Sequence, residues 1–199
     1  FTGFSVREEG NNVVVTANYK LGCFDQAVWT ISPDGTAAID FTYNFSGVVD
    51  LMGVMFDYPE DKVLSKRWVG DGPYRVWQNR LHGPQLGVWE NEYNDPIPAE
   101  SFTYPEFKGY FANVQWMTLE TQEGMISICN RTPQNYVGVY QPRDGRDGLL
   151  YTFPVTGISL MKVIPPVRNK VNTTDLIGPS SQAFWADGEY GGGITLKFE

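Results

Sequence analysis

Thr36-Ala37-Ala38-Ile39-Asp40-Phe41-Thr42-Tyr43-Asn44-Phe45 decides the fold class. Ala38, Asp40, Thr42 and Asn44 fall on one side, and Ile39, Phe41, Tyr43 and Phe45 on the other. A period of two is the pleat of a β-strand, and polar-out, apolar-in alternation makes it half-buried. Pro33-Asp34-Gly35 before it reads as a hairpin turn back to Gln26–Ser32. The same style continues outward. Asn12–Lys20, Val48–Tyr58 and Lys62–Val69 are strand candidates in the first half. Phe111–Glu120, Met125–Asn130, Tyr136–Tyr140, Leu149–Phe153, Gly157–Ile164 and Gly193–Phe198 follow in the second. Turn signals recur about every 8–12 residues, and no dozen-residue window holds a helical period, so the class is all-β and antiparallel.

Two stretches break the rhythm. Gly70–Gly109 holds five of the thirteen prolines and reads as a long functional or interface loop. Pro165–Ser181 reads as a long connection before a final strand pair. No repeat or linker divides the 199 residues, so one domain over 1–199 is expected.

The charge balance narrows the partners. Fifteen Lys and Arg against 23 Asp and Glu give a net charge of −8, which repels nucleic-acid phosphates and anionic membrane surfaces. Apolar runs such as Gly47–Phe56 are too short to span a bilayer and include Asp50. No signal segment stands out, and the start at Phe1 without Met reads as a mature form or an excised fragment. Cys23 and Cys129 are the only cysteines and read as buried free thiols. With His82 as the sole histidine, no ligand spacing supports a metal site, and neither metal nor cofactor is expected. Asp144-Gly145-Arg146-Asp147-Gly148 is a turn rather than a calcium loop.

The densest chemistry runs from Trp68 to Arg80 and through Trp89-Glu90-Asn91-Glu92-Tyr93-Asn94-Asp95. Aromatic faces beside carboxylates, amides and arginine suit a sugar, whose C–H face stacks on an indole while its hydroxyls take polar partners. The same residue types also build ordinary cores and ion pairs. Arg75, Trp77, Trp89, Glu90 and Tyr93 are the first glycan-contact candidates, and Trp185, Asp187 and Glu189 beside the last strand are a second group. None of them is assigned a catalytic role.

The run Leu51-Met52-Gly53-Val54 … Arg67-Trp68-Val69-Gly70-Asp71-Gly72-Pro73 … Asn79-Arg80 resembles the C-terminal domain of family 2 glycoside hydrolases of the β-galactosidase type. Trp68, Gly70, Gly72, Pro73 and Arg80 stand at the places of its Trp-x-Gly-x-Gly-Pro turn and closing Arg. Tyr104-Pro105-Glu106 with Gly109, and more weakly Ala186-Asp187-Gly188, echo later segments. The resemblance covers most of the chain from about Val48 onward. It implies a galactose mutarotase-like antiparallel β super-sandwich, and a chain that is the C-terminal fragment of a longer multidomain hydrolase. It places the catalytic glutamates on a (β/α)8 barrel of the parent chain, which becomes this domain's expected partner. It makes the motif architectural, with Gly72 and Pro73 fixing a turn, Arg80 tying it down and Trp68 packing. The family's acid after Gly-Pro is Arg75 here, its aromatic falls at Trp77, and its Asp before the Arg is Asn79, so the parent's glycan need not be a galactoside.

Three readings follow. The first is a non-catalytic domain that supports the barrel and shapes its substrate rim, in a bacterial enzyme of the periplasm or the medium. The second is a free-standing module for oligo- or polysaccharide. The third is an interaction domain without sugar contact. An exposed tryptophan among Trp77, Trp89 and Trp185 would support the second, and a concave apolar face without convergent polar groups would favour the third.

Overall fold

A computed structural model describes residues 1–20, 22–59, 62–92, 109–139, 157–165 and 184–199. Among them there is no α-helix. The strands are β1 (Gly3–Glu9), β2 (Asn12–Asn18), β3 (Phe24–Ile31), β4 (Thr36–Val49), β5 (Met52–Phe56) and β6 (Val63–Gly72). They continue as β7 (Gln85–Glu92), β8 (Trp116–Thr121), β9 (Gly124–Asn130), β10 (Tyr136–Gly138), β11 (Ile158–Val163) and β12 (Phe184–Phe198). Nine form one sheet in the order β1-β2-β3-β4-β12-β9-β8-β6-β7, and three form a second in the order β10-β11-β5. Every pairing is antiparallel.

The alternation of β4 is realised as read. Ile39, Phe41 and Tyr43 are buried while Asp40 and Asn44 face water. Their apolar side joins Trp68, Met117, Leu119, Ile128 and Ile194 of the large sheet and Met52, Ile158 and Leu160 of the small one in a single cluster. The two sheets are therefore the layers of a β-sandwich, and each such large side chain contributes about 1.5–3 kcal/mol on burial. A smaller cluster of Val76, Tyr110, Met161 and Ile164 lies apart from it.

Several elements differ from expectation. β4 runs on past Phe45 to Val49, in unbroken register with β12 through Gly47, whose φ is 145°. β12 begins at Phe184, well before Gly193. Its glycines weaken the strand signal, yet close packing demands them. A Cβ on Gly192 would stand 2.8 Å from Phe41 Cζ, and one on Gly191 2.7 Å from Phe41 O. The irregular stretch Gly70–Gly109 contains a full edge strand, β7. β1, absent from the sequence reading, is largely exposed and among the described residues pairs only with β2. Cys23 and Cys129 are free, as expected, but exposed rather than buried. Cys129 lies on β9 opposite Trp116, on the face turned away from the core. Leu149–Phe153, the Asp144–Gly148 turn, Tyr104–Glu106 and most of Pro165–Ser181 lie outside the described residues.

Candidate functional site

The glycine motif builds a corner between β6 and β7. Trp68 is fully buried, donates its indole N–H to Asp71 O at 3.1 Å, and meets Phe111 edge-on with centroids 4.7 Å apart. Trp89 pairs with it across the ladder, so both rings lie on one face. The Trp89 indole lies over glycine: a Cβ on Gly72 would come within 2.5 Å of its Cδ1 and one on Gly87 within 3.1 Å of its Cε2. Its N–H is shared between Gly70 O and Gln85 O, each at 3.2 Å. Gly70 itself has no room for a side chain, since a Cβ would stand 2.9 Å from Val114 Cα. The Gly72–Pro73 peptide is cis. Gly70 and Gly72 are thus fixed by close approach of a neighbour.

Beyond Pro73 the chain crosses to the smaller cluster. Val76 exchanges backbone bonds with Tyr110 at 2.7 and 2.9 Å. Trp77 is 1% exposed and packs edge-on against Tyr110, so it has no open face for a sugar ring. Arg80 closes the turn through its backbone, its N–H donating to Trp77 O at 2.8 Å, while the residue itself is exposed. Arg75 is half-buried. Glu90 is exposed, opposite Arg67 and on the other face of β7 from Trp89. Tyr93 lies outside the described residues. Trp89 and Glu90, adjacent in sequence, therefore do not share a surface.

The second group does share one. Trp185, Asp187 and Glu189 occupy alternate positions of β12, all exposed, with Trp185 at 67%. Directly across on β4 stand Val48, Ser46 and Asn44, exposed in turn. The pairs Trp185–Val48, Asp187–Ser46 and Glu189–Asn44 set an open indole beside two carboxylates, an amide and a hydroxyl. Beneath them, on the core side, Tyr190 stacks on Tyr43 at 5.8 Å, and the Tyr190 hydroxyl accepts the Asp187 N–H at 2.9 Å. Burial, with the Cys23 thiol and Tyr190 nearby, pushes the Tyr43 phenol up to about 12. The β4 half of this surface was missed in the sequence. Finding it required the β4–β12 register, which Val48 and Ser46 do not betray on their own.

The arrangement can stack a ring and hydrogen-bond hydroxyls; its pieces are those of a binding face. Among the described residues no three His, Cys, Asp or Glu side chains gather to hold a metal ion. Nor is any helix there long and apolar enough to cross a membrane.

An antiparallel β-sandwich carrying the Trp-x-Gly-x-Gly-Pro corner defines the class: a β-galactosidase-type sandwich domain. More particularly, the family described as "Beta galactosidase small chain" matches residues 3–159, and the chain belongs to that family. Among solved structures it is similar to the GalM/aldose epimerase homologue from C. elegans, at 9% identity over 98% of this chain and 68% of that one, with a TM-score of 0.38. No curated protein matches the sequence significantly.

Proposed function

We propose that this chain is the non-catalytic sandwich domain of a glycoside hydrolase, supporting the catalytic part of its parent and presenting Trp185, Asp187 and Glu189 to the glycan at the substrate rim. The family supports the accessory role. One observation carries the contact: Trp185 is an open indole on the same sheet face as two carboxylates and the Asn44 amide. The indole takes the C–H face of a pyranose and the carboxylates accept its hydroxyl protons. Such a face positions substrate; bond cleavage belongs to the parent's catalytic part.

Two measurements test this. The chain is mixed with an aryl β-galactoside, and no turnover above background is expected; enzyme-like rates would overturn the non-catalytic reading. Lactose and cellobiose are then titrated calorimetrically into the chain and into Trp185→Ala. Binding weakened about tenfold or more in the variant, a loss of about 1.4 kcal/mol, is expected. Equal binding in a folded variant removes Trp185 from the contact. The free-standing module gains ground instead if the isolated chain binds tightly.

A further inference from the structure

The outer face of the large sheet carries a depression, distant in register from Trp185. It has a volume of about 300 Å³ and is lined by Thr36, Trp116, Thr118, Ser127, Thr195 and Lys197, with Cys129 in its floor. Four adjacent strands build it in two rows. Trp116 on β8 stands opposite Cys129 on β9, which stands opposite Thr195 on β12. Thr118, Ser127, Lys197 and Thr36 follow one another in the next row across β8, β9, β12 and β4. Strands lie about 4.8 Å apart, so the valley is about 14 Å long. Small side chains make its floor, and the indole of Trp116, 37% exposed, stands as its wall.

We propose that this valley is a second saccharide-binding site, for an uncharged stretch of one or two pyranose rings. Four features select that ligand. The indole offers a face for sugar C–H groups. The lining is mostly apolar, with Met117 and Ile128 beneath it, and the hydroxyls of Thr36, Thr118, Ser127 and Thr195 are spaced within it as donors and acceptors. Among the described residues, the hydroxyls of Ser127 and Thr195 bond no other side chain, while Thr118 makes only a long 3.5 Å contact to Arg67 O. The one cation, Lys197, is paired with Glu199 at 2.6 Å, which leaves no net charge to attract an anion. A volume near 300 Å³ is the lower end of small-molecule sites, about 300–1,000 Å³, and suits a short sugar. The inference shares with the preceding one only its ligand class; it needs no role for Trp185.

The test follows the Trp116 indole N–H and the Ser127 and Thr195 amides by NMR while lactose and cellobiose are added to the chain. Saturable shifts at these positions are expected, weakened about tenfold in Thr195→Val, which keeps the shape and removes one hydroxyl. They should vanish in Trp116→Ala and persist in Trp185→Ala. Shifts lost only in Trp185→Ala would put sugar at the other surface and overturn this proposal while sparing the first. No shift with either sugar, or shifts with the apolar probe p-cresol alone, would overturn it as well.

Discussion

Trp89 and Trp185 stand in similar company in the sequence, and the fold treats them in opposite ways. Trp89 is followed by Glu90 and Glu92, Trp185 by Asp187 and Glu189. In β7 the acids fall at odd offsets, so they leave the indole's face; in β12 they fall at even offsets and stay on it. The strand opposite completes the difference. Trp89 meets Trp68 in a trough made by Gly70, Gly72 and Gly87, which draws the ring down and takes its N–H. Trp185 meets Val48, itself 59% exposed, and the indole stays 67% exposed. An aromatic next to an acid therefore says little until parity and the opposing residue are known.

The largest expected effect breaks this contrast from the structural side. Trp89→Ala removes the ring that fills the glycine trough and leaves Gly70 O and Gln85 O without its N–H. Complete loss of a buried Trp costs about 3–5 kcal/mol, and this half-buried ring should cost about 3. The fall in urea midpoint measures it, and an unchanged midpoint would mean the trough holds nothing.

Next comes the inner side of the β4–β12 ladder, directly beneath the Trp185 surface. Tyr43 has its phenol raised from 10.0 to about 12 by burial first, then by Cys23 and Tyr190. The folded value lies above the unfolded one, so the neutral phenol is what folding favours. Its contribution is full below about pH 10 and is lost as pH rises through about 12, amounting to about 2–3 kcal/mol. Denaturation followed from pH 9 to 12 should show this decline, and Tyr43→Phe should flatten it. Gly72→Ala is third. The new methyl must displace Trp89 ring atoms 2.5 and 2.6 Å away, for about 1–3 kcal/mol. Combined with Trp89→Ala, much of that cost should disappear, because the clash partner is gone.

What the sequence made legible was whatever depends on near neighbours. The alternation of Thr36–Phe45, the Pro33-Asp34-Gly35 turn and the glycine corner were read from residues one to four apart. Asp34 shows how local such signals are: it accepts the Thr36 N–H at 3.0 Å and its carboxyl is held below the ordinary range by Thr36. What was illegible depends on register. β7 is hidden inside the proline-rich stretch Gly70–Gly109, where Gly87 interrupts the strand pattern although it makes room for Trp89. β12 is hidden by Gly188 and Gly191–Gly193, which are needed for the approach of Phe41 and for a positive φ of 109° at Gly188. The candidate surface suffered most, because half of it comes from β4, roughly 140 positions away in the chain. The valley at Trp116 spans four strands and left no local mark at all.

The smallest expected effect is the one that sharpens the contrast most. Trp185→Ala should change stability by no more than about 0.5 kcal/mol, since an exposed surface ring fills no space in the core. The same variant should lose a large share of the fluorescence that acrylamide quenches, because Trp68 and Trp77 are buried, Trp29 and Trp89 are half-covered, and Trp116 at 37% is less exposed than Trp185 at 67%. A binding face and a packing face make opposite demands on these two readouts. Trp89→Ala should lower stability strongly and change quenching little; Trp185→Ala should do the reverse. A Trp185→Ala variant that loses more than about 1.5 kcal/mol would mean the ring is packed in solution, and the proposed glycan contact would lose its only open indole on β12.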